Sequence, residues 1–247
     1  TIFVITYSKE KKIFSTKYQK WSSDNRNMLM HIMDYAELPN RTAFWIPKLS
    51  YSIECSILKK CLNIRTILIN FMKSSEYKVF YRTTGGLYWK VFTNFSPAFK
   101  VNGNLGHSTR ETRFTLVSKE LVKPVIAVLS SDIFWWWYTI TTNCRDLNPY
   151  DIQNFPVPKE ALYDPNIISL GEKYLLDLEV NSTMLIRNQK QTGLTETQSF
   201  KIQKSKTIID EIDRVLAEHY SFTEEELDFI INYDIKYRMG KESQEED

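Results

Sequence analysis

The sequence predicts an α+β fold, with a mixed-sheet region over residues 1–160 followed by a helical region over 161–247. Three observations carry this. Short β-branched and aromatic runs, punctuated by Gly and Pro, fill the first part. Amphipathic helical spacing dominates from Pro165 onward. The 247 residues, 43% hydrophobic and 25% charged, suffice for a substantial buried core.

Ile2–Thr6 reads as a buried strand. Ser23-Asp24 can cap a helix carrying Met28, Leu29, Ile32 and Met33. Pro47 suits the first turn of a second helix with a stripe of Ile53, Ile57, Leu58, Cys61 and Leu62, and Glu54, Lys59 and Lys60 outward. Lys78–Arg82 and Leu87–Phe92 are strand-like, and Thr83-Thr-Gly-Gly86 makes them a hairpin. Asn102–Gly106 is a loop and Arg113–Val117 a strand. After Pro124 the pattern predicts a short strand, then a buried helix beginning near Ser130 or Ser131 and carrying Phe134-Trp-Trp-Trp-Tyr138 as core. Phe155-Pro-Val-Pro158 is extended. Beyond it come a long amphipathic segment through Leu185, a polar break over Gln189–Ser199, a helix with Ile208, Ile209, Ile212, Val215 and Leu216, and a last helix behind the capping box Thr223–Glu226. Glu242–Asp247 is an acidic end.

The net charge of +2 hides an asymmetry. Residues 1–130 hold 20 Lys and Arg against 8 Asp and Glu, and residues 131–247 hold 12 against 22. A basic front interleaved with aromatics suits phosphate neutralisation and base stacking, and an acidic remainder suits a segment held away from a polyanion. A basic solvated face on a cytosolic protein is the plainer reading. No apolar run reaches the roughly 18 residues of a membrane helix, and the amino-terminal run lacks signal-peptide order. A first residue other than Met suggests a piece of something longer. Cys55, Cys61 and Cys144 form no disulfide framework and no metal-ligand spacing, so they read as reduced cytosolic cysteines.

No phosphate-binding glycine loop, dinucleotide fingerprint or nucleophile elbow occurs. His31 and His107 have no evident nucleophile partner, and the carboxylates at Asp210–Asp213 and Glu224–Asp228 read as solvated helix faces. Asn148-Pro149-Tyr150 lacks the second proline of the amino-methyltransferase motif and reads as a turn.

Two stretches suit recognition of a base edge. The hairpin Arg82-Thr83-Thr84-Gly-Gly-Leu-Tyr88-Trp-Lys90 sets cations beside a flexible turn, where an edge hairpin with a polar turn is the alternative. Thr141–Asn148 offers Asn143, Arg145 and Asn148, since Asn can read adenine and Arg guanine. There the alternative is an Arg145–Asp146 pair with Asn143 capping. Arg110 and Arg113, near the Asn102–Gly106 loop, can add phosphate contacts, and Lys48, Asn102 and Asn104 complete the candidate DNA-binding set.

Phe44-Trp-Ile-Pro-Lys48, Tyr81–Gly86, Ala127–Ser131, Asn143–Asn148, Phe155–Pro158 and the closing helices, in that order, resemble the C-terminal part of bacterial restriction–modification proteins of the type IIG kind. The aromatic helix and extended Phe-Pro-Val-Pro are similar to target-recognition domains of N6-adenine DNA methyltransferases and type I specificity subunits. Ile208–Gly240 is similar to the tail of the same proteins. The resemblance implies a DNA target-recognition domain over 1–160 and a helical tail over 161–247 that braces it. It also implies a partner in double-stranded DNA and a cytoplasmic parent whose upstream methyltransferase domain holds S-adenosylmethionine. No catalytic motif is expected in this chain. A protein–protein assembly module is the alternative from a different class.

Overall fold

The computed structural model describes residues 12–18, 23–38, 45–84, 90–189, 193–235 and 239. The expected strand at Ile2–Thr6 and the acidic end at Glu242–Asp247 lie outside them. In chain order, β1 (Phe14–Ser15), a 3-10 turn (Ser23–Met28), α1 (Leu29–Ile32) and β2 (Ala36–Glu37) precede α2 (Ser52–Asn63). Next come β3 (Lys78–Arg82), β4 (Phe92–Thr93), β5 (Phe99–Val101), β6 (Asn104–Leu105) and β7 (Glu111–Thr115). Then follow α3 (Val122–Ser130), α4 (Asp132–Thr141), α5 (Pro149–Gln153) and α6 (Pro165–Val180). The chain closes with β8 (Ser182–Gln189), β9 (Gly193–Phe200), α7 (Lys206–Tyr220) and α8 (Glu224–Asn232).

The class is α+β as expected, but every pairing among the described strands is antiparallel rather than mixed. β1 and β2 form a ribbon; the other sheets have the orders β4-β3-β7 and β6-β5-β9-β8. Tyr81 opposes Phe92, so the glycine hairpin closes through a longer connection than a tight turn, and residues 85–89 of it lie outside the described residues. Between β5 and β6, Asn102 and Gly103 both have positive φ, 50° and 82°, which makes a two-residue turn of the kind that matches strand twist.

The core is built on α3 and α4. Pro124 sits in the first turn of α3, where a missing N–H costs nothing, so Val125–Leu129 is helix rather than the expected strand. Burial on all sides overrides the β-branched preference of Val and Ile here. Ser131 separates the helices as foreseen: its Oγ accepts from the Phe134 N–H at 3.1 Å and donates to the Val128 carbonyl at 2.6 Å. The Phe134–Tyr138 run is core, with Phe134 edge-on to Phe92 and Phe155 at 5.7 and 5.1 Å. Phe155–Pro158 is extended and hydrogen-bonds Thr66 and Leu68.

Two carboxylates turn inward against expectation. Glu54, expected to face outward, is fully buried because its Oε2 accepts the Ser50 and Tyr51 N–H groups at 2.8 and 3.0 Å, while Oε1 takes the Trp136 indole N–H at 3.2 Å. Asp213, expected on a solvated face, accepts the N–H groups of Asp132 and Ile133 at 2.9 and 3.1 Å and caps α4 from outside the helix. Lys206 lies beside it, bonded to Asp132, Asp210 and the Ile231 carbonyl.

Helices α6 and α8 begin where the sequence places them, at Pro165 and behind Thr223, and α7 carries the expected stripe of Ile208, Ile209, Ile212, Val215 and Leu216. Between α6 and α7, however, Ser182–Gln189 and Gly193–Phe200 form two eight-residue strands, not a helix end and a polar break. Their alternating Thr, Gln and Glu leave too few apolar positions to mark the period. β9 pairs with β5, and α6 and α7 pack on α3, so residues beyond 160 share sheet and core with those before it.

Candidate functional site

The β4-β3-β7 sheet turns Val79, Tyr81 and Phe92 to the core. Strand alternation therefore puts Lys78, Phe80 and Arg82 on the opposite face. Register places Thr115, Arg113 and Glu111 beside them on that face, opposite Lys78, Phe80 and Arg82 respectively. A run of cations thus lies on the face of one small sheet that is turned away from the core. Among the described residues, Arg82, Arg110, Arg113 and Arg187 close no salt bridge.

At the Arg82 end, three segments singled out separately in the sequence meet. The Thr83 N–H donates to the Arg110 carbonyl at 3.0 Å, and the Leu147 N–H donates to the Thr83 carbonyl at 2.8 Å. Thr84 forms an antiparallel bridge with Asp146. Hairpin, Arg110 turn and Asn143–Leu147 loop are therefore one backbone-bonded edge. Burial holds the Arg82 guanidinium below its usual pKa, and the charges of Arg110 and Arg187 act in the same direction against Glu111.

The Asn143–Leu147 loop is locally fixed. Asn143 Oδ1 accepts the Arg145 N–H at 2.9 Å, and Cys144 adopts a left-handed conformation at φ 59°. This leaves the Arg145 side chain 86% exposed, with only a 3.9 Å contact to Asp146. The capping role weighed for Asn143 and the Arg145–Asp146 pair are both present. Asn148 starts α5, its N–H and side-chain amide both directed to Asp151 Oδ2.

Other candidates lie elsewhere. Lys48 points inward: its ammonium bonds the Thr142 carbonyl at the C-terminal end of α4, where a cation suits the helix dipole. Lys90 is buried, with Nζ 4.8 Å from the Tyr138 ring centroid. Burial lowers the pKa of both lysines, and Cys144 and Asp151 oppose it. Lys90 is absorbed by the core and Lys48 is half-buried, since a long alkyl stem beside an aromatic face or a helix end can hold a cation that sequence alone places at the surface. Asn102 Oδ1 accepts the Leu194 N–H at 2.9 Å, which ties the β5–β6 turn to β9. Asn104 is exposed on β6. Tyr88 lies outside the described residues.

Sequence reasoning missed Arg187, because it fell between an expected helical stretch ending at Leu185 and an expected polar break beginning at Gln189. In β8 it opposes Thr195 and shares a face with Leu185, Thr197 and Phe99, the face turned toward Arg82. An arginine at an alternating position in a Thr- and Gln-rich run is the signal that would have found it. Among the described residues no cluster of His, Cys, Asp and Glu could hold a metal ion, and no helix is long and apolar enough to cross a membrane. Comparison of the chain with protein families, curated proteins and solved structures gives no match.

Proposed function

We propose that this chain binds duplex DNA at a short sequence, as the target-recognition part of a bacterial restriction–modification adenine methyltransferase. The S-adenosylmethionine site would lie in an upstream domain of the parent. The observation that carries the reading is the edge where Arg82–Thr84, Arg110 and the Asn143–Leu147 loop are joined by backbone hydrogen bonds beside a face bearing Lys78 and Arg113. Cations along one sheet face supply phosphate contacts that set register, and an exposed Arg145 on a braced loop supplies a group for a guanine edge. Titration of the chain against random-sequence duplex at several salt concentrations tests this. Affinity should fall steeply with salt, and Arg82→Ala or Arg110→Ala should each flatten the slope by about one. A salt-independent or absent interaction contradicts the reading.

A second reading, as an assembly module, has one observation in its favour. Leu105, 83% exposed, and Ile186, 61% exposed, lie in one row across the outer face of the β6-β5-β9-β8 sheet, bracketing the Lys100–Glu196 ion pair. If that face assembles the protein, Ile186→Lys lowers the mass measured by light scattering and leaves DNA affinity unchanged.

A further inference from the structure

A cleft of 230 Å³ opens between the two larger sheets. Phe80 of β3 and Phe99 and Phe200 of the facing sheet line it, with Arg82 and Glu111 at one end. Its size is below the roughly 300–1,000 Å³ of sites that enclose whole drug-sized ligands. It therefore suits one ring system and not an extended cofactor. The walls are aromatic, which favours a flat heterocycle. The rim is cationic: Arg82 opens the cleft, Arg110 follows through its carbonyl bond to Thr83, and Arg187 stands on the Phe99 side of the opposite sheet. Repulsion from Arg110 and Arg187 adds to burial in disfavouring the charge on Arg82, with Glu111 acting in the opposite sense, so three guanidinium groups gather around one carboxylate. Glu111 takes a hydrogen bond from Ser96 Oγ at 2.7 Å on one oxygen, leaving further acceptor capacity.

We infer that this cleft receives one unpaired nucleotide of the bound DNA, its base against Phe80 and Phe99 and its phosphates on Arg82, Arg110 and Arg187. This inference rests on the DNA-binding reading above. A carboxylate accepts and does not donate, so Glu111 selects a base that presents an amino group, adenine, cytosine or guanine, over thymine, whose one ring N–H lies between two carbonyl oxygens that a carboxylate repels. A paired base does not fit, since the cleft holds one ring system and not two.

The test uses the full chain and two duplexes of identical sequence, one fully paired and one with a single bulged 2-aminopurine, whose amine meets Glu111 and whose emission reports stacking. The bulged duplex should bind at least about fivefold more tightly, with a change in emission. Thr197→Trp fills the cleft from β9 and should abolish that preference while leaving affinity for the paired duplex intact. Phe99→Leu, a milder change, should reduce it. Arg187→Ala should weaken both duplexes. A bulged thymine should lose the advantage, and Glu111→Gln should narrow the difference between bases. Equal affinity for paired and bulged duplexes overturns the inference and leaves the DNA-binding reading standing. Binding to neither overturns both. Equal affinity for the duplexes with saturable cleft binding of cytidine monophosphate, lost in Thr197→Trp, also overturns it, because the cleft's ligand is then a free nucleotide.

Discussion

The Thr83 carbonyl accepts the Leu147 N–H at 2.8 Å, so the strand end that carries Arg82 and the loop that carries Arg145 move as one. The loop keeps its shape through Asn143, whose Oδ1 takes the Arg145 N–H. Replacing Asn143 with Ala should cost about 1 kcal/mol. Amide exchange at Leu147 should speed up while exchange in α3 stays slow. Unchanged exchange at Leu147 would mean that the loop needs no such brace.

The buried end of α4 is held by Asp213 and Lys206. Asp213→Ala leaves the Asp132 and Ile133 N–H groups without their acceptor and should cost about 3 kcal/mol in urea unfolding. Lys206→Met removes the cation from Asp132, which has no solvent access, and should cost a similar amount, about 3 kcal/mol or more. A double variant should lose less than the sum, since both act on one helix end.

Gly171 of α6 packs directly over the Lys123 carbonyl of α3, and a Cβ there overlaps that backbone atom. Because the obstacle is backbone, the helices must separate. Gly171→Ala should destabilise by about 2 kcal/mol, against the small gain the same change gives in an exposed helix. A thermal melt distinguishes the two outcomes by sign.

Acid should weaken the α2–α8 contact. Burial acts to raise the Glu226 pKa, but hydrogen bonds from Lys60 at 2.6 Å, Ser56 at 2.6 Å and the Thr223 N–H at 2.8 Å prevail and hold it below the usual carboxylate range. Its folded pKa is therefore the lower one. The stability it confers is complete above the unfolded value of about 4.3 and is lost as pH falls through the folded value. Urea midpoints between pH 7 and pH 3 should fall less in Glu226→Gln than in the parent chain, and the variant should start lower at pH 7.

Much of this architecture is legible in the residues themselves. Thr223 with Glu226 and Ser131 before the aromatic run each mark a helix start by local chemistry, and each helix starts where the sequence places it. What local chemistry cannot carry is partnership across the chain. Glu54 is buried because Trp136, 82 positions away, donates to it, and no pattern within α2 shows that. Lys90 is covered by Tyr138 in the same way. The β8–β9 hairpin escaped because half-exposed polar strands have no apolar period, and with it went Arg187. Of the candidate site, the hairpin end and the Asn143–Leu147 loop were both legible, but not that they touch.

The most direct measurement is selection from a pool of random duplexes at low and moderate salt, followed by sequencing, with the chain and with Arg82→Ala and Arg145→Ala. The account predicts enrichment of one short motif, with Arg145→Ala relaxing a single position at a cost of about 1–3 kcal/mol and Arg82→Ala weakening all sequences alike. Absence of binding even at low salt would contradict it.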